Sequence, residues 1–247
     1  GVELVVRGEL MKALLGELPA DNAVVLGLPP GDRKEARWEY PDKLDALVEA
    51  GATAVGFDVL FLSESPADTE FSAAIDRARA AGVEVVLPRR FDGQDFLPLS
   101  TGLAESGTSA MVVLEQDLLF GAVRRLPVRI RDRQGQTQWA LSVAVLAGHL
   151  DAEEPTLNGR ELAVGVTRNV SQGERLILPP VARPVAIGWE DDLDAVRGKV
   201  VLIGAMDGHT DALRTPSGLR YGVEIHAAAV EALARQKGMR GASPFSE

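Results

Sequence analysis

The sequence predicts an α/β fold: a mixed, largely parallel sheet flanked by helices, with a central antiparallel insertion. Three observations carry that expectation. Near the start, apolar runs at 23–28, 53–61 and 83–87 alternate with two segments of helical periodicity, which lays strands parallel through right-handed crossovers. Near the end, the run Lys199 to Gly204 and the helical stretch Tyr221 to Gln236 repeat a strand-loop-helix unit. Between them, a break at 89–109 rich in Gly, Pro, Ser and Asp gives way to shorter alternating strands.

Each element has a local reason. Leu4, Met11, Leu14, Leu15 and Leu18 fall at helical spacing and Pro19 closes them, so 3–18 reads as an amphipathic helix, packed on the domain or lying beside a membrane. Ala23 to Leu28 is a short strand that ends at Pro29-Pro30-Gly31. Pro41 suits a first helical position, Leu44, Leu47 and Val48 form the apolar stripe, and Gly51 caps the end. Thr53 to Phe61 is β-branched and aromatic enough for a buried strand. Asp68 then caps a helix to Ala81, Gly82 stops it, and Val83 to Leu87 makes the third strand.

After the break, Met111 to Gln116 and Val123 to Arg131 read as antiparallel strands. The turn Gln134-Gly135-Gln136 leads into an apolar helix over 139–149. Glu161 to Val166, Arg175 to Leu178 and Val185 to Trp189 add strands, and Asp191 to Val196 a short helix stopped by Gly198. With no internal repeat and no long linker, residues 1–247 read as one domain with its core at 20–240.

Composition narrows the function. The 247 residues hold 26 Lys+Arg against 36 Asp+Glu, a net charge of −10, which argues against nucleic acid as a partner because phosphate binding needs a basic surface. The absence of cysteine excludes thiol catalysis, iron–sulfur clusters and cysteine zinc sites. The longest apolar stretch, Trp139 to Leu150, is ~18 Å long as a helix. That is too short for a hydrocarbon core of roughly 30 Å. Gly1-Val2-Glu3 carries neither an initiating Met nor a signal sequence, which points to a segment of something longer.

No nucleotide fingerprint is present. Gly27 to Lys34 has the wrong glycine spacing for a phosphate loop, and no strand is followed by G-x-G-x-x-G. A G-x-S-x-G elbow is missing too, and the only histidines are His149, His209 and His226. No cofactor is expected.

Ligands of open parallel sheets sit beyond the carboxyl ends of the strands. Two segments bring polar groups there. Asp58 stands inside an otherwise apolar strand, where a carboxylate must meet a donor, a cation or solvent. Asp207, His209 and Asp211 follow the last strand directly, with Arg214 close behind. Asp and His are ligand types for a divalent metal, but they also cap loops through side-chain to backbone bonds. Asp58, Asp207, His209, Asp211 and Arg214 are therefore the candidate ligand contacts, with the metal question open.

Glu224 and His226, two residues apart on the last helix, point in different directions. Glu224 suits the positive end of the helix dipole, and His226 reads as a hydrogen-bonded core residue. His149 is placed to satisfy the carbonyls ending its helix. Arg125, Arg129 and Arg131 alternate with Leu126, Val128 and Ile130, a basic stripe that is either an anion site or a solvated strand face.

Two stretches resemble a known family, the type-2 CHASE domain. Gly51 to Phe61, with Asp68 opening the next helix, looks like its first half. Arg197 to Gly204, then Asp211, Thr215-Pro216 and Gly222-Val223-Glu224-Ile225-His226-Ala227, is similar to its closing signature in order and spacing. Asp117 with Val123-Arg124-Arg125, and the apolar helix after Trp139, also fit. Pro29 to Arg37 departs from the family in lacking the aspartate- and tryptophan-rich pattern before the first helix, which Trp38 matches only in part.

The resemblance implies a non-enzymatic sensor outside the cytoplasmic membrane, held by flanking membrane helices absent from this chain and reporting to a cytoplasmic kinase or cyclase module. It brings no catalytic residues and no agreed ligand. The expected partners are an unknown small-molecule or ionic signal and, through a dimer equilibrium, a second copy of the chain. Two rival readings stand beside it. One is a metal-dependent hydrolase using Asp58, Asp207, His209 and Asp211, which requires those side chains to converge. The other is a structural dimerisation module with an exposed apolar patch near the first helix.

Overall fold

A computed structural model describes residues 18–28, 36–117, 121–171, 174–206, 212–215 and 217–235. The helix expected over 3–18 lies outside them, except for Leu18, which makes a parallel bridge with Val181.

The strands are β1 (Ala23–Gly27), β2 (Ala54–Asp58), β3 (Glu84–Arg89), β4 (Thr108–Met111), β5 (Glu115–Gln116), β6 (Val123–Pro127), β7 (Arg129–Arg131) and β8 (Thr137–Trp139). They continue with β9 (Thr156–Asn158), β10 (Glu161–Val164), β11 (Thr167–Val170), β12 (Arg175–Ile177), β13 (Val185–Ile187), β14 (Val200–Gly204), β15 (Ala212–Thr215) and β16 (Gly218–Tyr221). The helices are α1 (Tyr40–Glu49), α2 (Asp68–Ala80), α3 (Leu141–His149) and α4 (Gly222–Ala234).

Six strands form one parallel sheet in the order β13-β1-β14-β2-β3-β4. Smaller antiparallel sheets, β11-β10-β9, β12-β6-β5, β15-β16 and β7-β8, complete the mixed α/β architecture. The late strand β14 lies between β1 and β2, in register from Val200↔Ala54 to Gly204↔Asp58, so the two ends of the chain share one layer.

Both faces of the sheet are buried, and the two-residue side-chain period divides the strands between two cores. Val24, Leu26, Val55, Phe57, Val201 and Ile203 face α1 and α2, where Tyr40, Phe57, Phe61 and Phe71 pack with ring centroids 5.2 to 6.0 Å apart. Ala23, Val25, Ala54, Val200 and Leu202 face α3 and α4. A helix such as α3, apolar nearly all round, needs cover on several sides, and the small sheets supply it through Leu126, Leu162 and Leu176.

Several expectations shift. Pro41 does sit in the first turn of α1, and Gly51 and Gly82 take the left-handed conformation after their helices, at φ +89 and +82. Asp68 is the first residue of α2 rather than its cap; its carboxylate is instead engaged by the buried Arg37 guanidinium at 2.7 Å. The strand expected over 53–61 stops at Asp58. The strand expected over 111–116 divides: Thr108–Met111 joins the parallel sheet at its edge, and only Glu115–Gln116 is antiparallel. The strand expected over 123–131 breaks at Val128, and the helix expected over 191–196 is one 3-10 turn, Asp194–Val196. β9, β11 and the β15–β16 hairpin had no counterpart among the predicted strands, being three or four residues long.

Candidate functional site

The carboxyl edge of the sheet is built by β14, β2 and α4. Gly204 ends β14, and a Cβ there would come within 2.7 Å of Val223 Cβ, so only glycine lets the first turn of α4 approach the strand. Asp58 ends β2 beside it, in register with Gly204 and partly buried. A Cβ on Gly222, the first residue of α4, would lie 3.3 Å from Asp58 Oδ2. The carboxylate therefore sits against the N-terminus of a 13-residue helix, where the helix dipole favours negative charge. That placement explains an acid at the end of an apolar strand.

Arg214 is exposed in β15, opposite Leu219, and its backbone bridges to Ala122. Asp207, His209 and Asp211 lie outside the described residues. Among the described residues no group of three or more His, Asp and Glu side chains is arranged to hold a metal ion.

Along α4 the sequence places three polar side chains in a buried helix. Glu224 is 1 % exposed; it accepts the Tyr221 N–H at 2.9 Å and pairs with Arg183 Nε at 2.8 Å. It thus closes the N-terminus of the helix as expected, with an ion pair added. His226 is fully buried, but among the described residues neither ring nitrogen has a hydrogen-bond partner, which corrects the expectation of a bonded core histidine. Burial alone pushes its pKa down to about 4, since the cationic form loses its water.

Glu231, also fully buried, accepts the Asn22 N–H and Asn22 Nδ2 at 2.6 Å each and the Ala23 N–H at 2.8 Å. One turn on, Arg235 reaches Asp21 at 2.7 Å. The end of α4 is thereby fastened to the start of β1, at the opposite edge of the sheet from Asp58.

His149 does not satisfy the carbonyls ending α3. Its Nδ1 lies 2.6 Å from Thr53 Oγ1, tying α3 to the start of β2. Burial lowers its pKa, and the nearby Glu231 charge opposes that. The basic stripe is divided by the break at Val128: Arg125 belongs to β6 and is exposed, while in β7 Arg129 pairs with Glu174 at 2.9 Å and Arg131 is exposed.

Sequence reasoning missed the buried Arg37–Asp68 pair and the Glu231 clamp. Only the second had a signal: Glu231 stands in the otherwise apolar run Ala227 to Ala234, where an isolated acid needs a partner.

No helix among the described residues is long and apolar enough to cross a membrane. Comparison with known proteins finds no matching curated protein and no matching solved structure. A family model does match: that of the CHASE2 domain, over residues 31–245. This span takes in β2, α2, β14 and α4, which include the carboxyl edge of the sheet, and starts after β1. The chain belongs to the CHASE2 family, a family of extracytoplasmic sensory domains.

Proposed function

We propose that this chain is the sensing part of a membrane-anchored signal-transduction protein, acting as one unit that detects a small-molecule or ionic stimulus outside the cytoplasmic membrane. The stimulus is relayed to a cytoplasmic kinase or cyclase module through membrane helices that flank the domain. The proposed ligand contacts are Asp58, at the carboxyl edge of the sheet beside the N-terminus of α4, together with Asp207, His209, Asp211 and Arg214.

One observation carries the reading. α4 starts against Asp58 at one edge of the sheet and ends at the other, where Glu231 and Arg235 hold Asn22, Ala23 and Asp21. A helix of 13 residues is about 20 Å long. A shift of α4 on ligand binding therefore moves both ends of the described chain together, as a domain tethered at two points requires. A ligand acts through its differential affinity for two conformations or association states, so it changes stability or self-association.

Thermal unfolding of the 247-residue chain against a panel of small solutes, ions and pH values tests this, with oligomeric state followed by light scattering. The expected result is a stabilising solute whose effect is lost in Asp58→Asn. If no condition stabilises the chain or alters its association, direct ligand sensing is wrong.

A further inference from the structure

At the amino edge of the sheet, away from Asp58, the last turns of α3 and the loop after it enclose a cleft of about 420 Å³ against β3, β4 and Trp139. Small-molecule sites fall within roughly 300 to 1,000 Å³. We propose that this cleft binds a small organic cation, an ammonium or guanidinium group carried on an apolar body.

The lining argues for that class. Glu84, Asp151, Glu153 and Glu154 contribute carboxylates, and neither Lys nor Arg lines the cleft. An anion is therefore repelled, in a chain whose net charge is already −10. Four acids line the space, and among the described residues no group of three or more His, Asp and Glu side chains is arranged to hold a metal ion. A larger, diffusely charged cation fits where a compact divalent ion does not.

Trp139 lines the same space, and an indole face attracts cations. Its ring already carries one, since the Arg129 guanidinium lies 5.6 Å from the ring centroid. The floor is apolar. Ala144 and Ala147 belong to α3, and Gly148 brings the helix so close to β3 that a Cβ there would meet Glu84 Cβ at 2.5 Å. Small side chains on α3 thus hold the cleft open while keeping the Glu84 stem against its wall. Glu84 is fixed from both sides, by the Thr108 hydroxyl that donates to it and by Arg79 at 3.8 Å. Glu154 is near the Trp139 Nε1, at 3.5 Å.

This site lies away from Asp58 at the carboxyl edge, so its test separates from that of the sensing contacts. The 247-residue chain is titrated calorimetrically with choline chloride and with spermidine, against sodium and magnesium chloride at matched ionic strength. The expected result is saturable binding of at least one organic cation, unchanged in Asp58→Asn. That binding should weaken about fivefold in the exposed-site variant Glu154→Gln and similarly in Trp139→Leu, as loss of one charge or one cation–π contact implies. The inference is overturned if neither organic cation saturates, if Glu154→Gln and Trp139→Leu both bind like the parent, or if magnesium displaces the organic cation at equal concentration.

Discussion

Two buried side chains on α4 set the balance between stability and response at the level of single residues. Glu231 satisfies three donors at the start of β1, so Glu231→Ala leaves two backbone N–H groups and the Asn22 amide without an acceptor. Loss of a buried charged acceptor of this kind costs about 3 kcal/mol. Chemical denaturation should show that loss, a smaller one for Glu231→Gln, and almost none for Asp21→Asn, whose carboxylate is 70 % exposed. His226 links stability to acidity. Its ring protonates near 6.5 when unfolded and at about 4 when folded, so between those values the unfolded chain holds the extra proton. Stability is therefore intact above about pH 6.5 and is lost as the pH falls through about 4, by about 3 kcal/mol for this group alone. Unfolding midpoints measured across that window should flatten in His226→Met; His149, shifted the same way by burial, retains part of the slope.

At the level of elements, the close seat of α4 on β14 depends on one missing methyl group. Gly204→Ala places a Cβ 2.7 Å from Val223 Cβ and 3.2 Å from Asp58 Cβ, so the first turn of the helix must lift off the strand. Overpacking of this kind costs about 2 kcal/mol. Because the displaced turn is the one facing Asp58, the variant should lower the denaturation midpoint and also weaken any ligand found at the carboxyl edge. The alanine at Gly82, where nothing lies within 4 Å, meets only the cost of its φ of +82 and should leave ligand response unchanged.

The whole molecule is a three-layer body whose centre is the part most remote from water. β1, β14 and β2 are buried on both faces and flanked by further strands, whereas β15–β16 is partly exposed. Amide exchange should show β1, β14 and β2 opening only with global unfolding and the β15–β16 hairpin opening well before, consistent with a mobile edge near the proposed ligand contacts. The same layering puts Asp58 and the cleft beside Trp139 at opposite ends of the strands.

Much of this arrangement can be read locally. Strands with both faces apolar, such as Val200 to Gly204, and helices bounded by Pro41, Gly51 and Gly82 announce themselves, because a parallel sheet buried on two sides needs continuous apolar runs and helix ends need particular backbone conformations. The family resemblance rests on the same segments, and the family match spans them. Some short strands were not legible: β9, β11 and the β15–β16 hairpin are three or four residues each and exist through their partners, not their propensity, whereas the equally short β12 and β13 were anticipated. Of the site, Asp58 was identified as an acid that must be compensated, but the compensating helix end lies 164 residues further along the chain at Gly222. The sequence by itself determined the fold class and the succession of the main strands and helices along the chain, because periodicity and caps act over a few residues. Only the tertiary structure decided which groups meet: the Asp58 carboxylate and the α4 terminus, Glu231 and Asn22, and the cleft beside Trp139, all contacts between distant segments that no local pattern encodes.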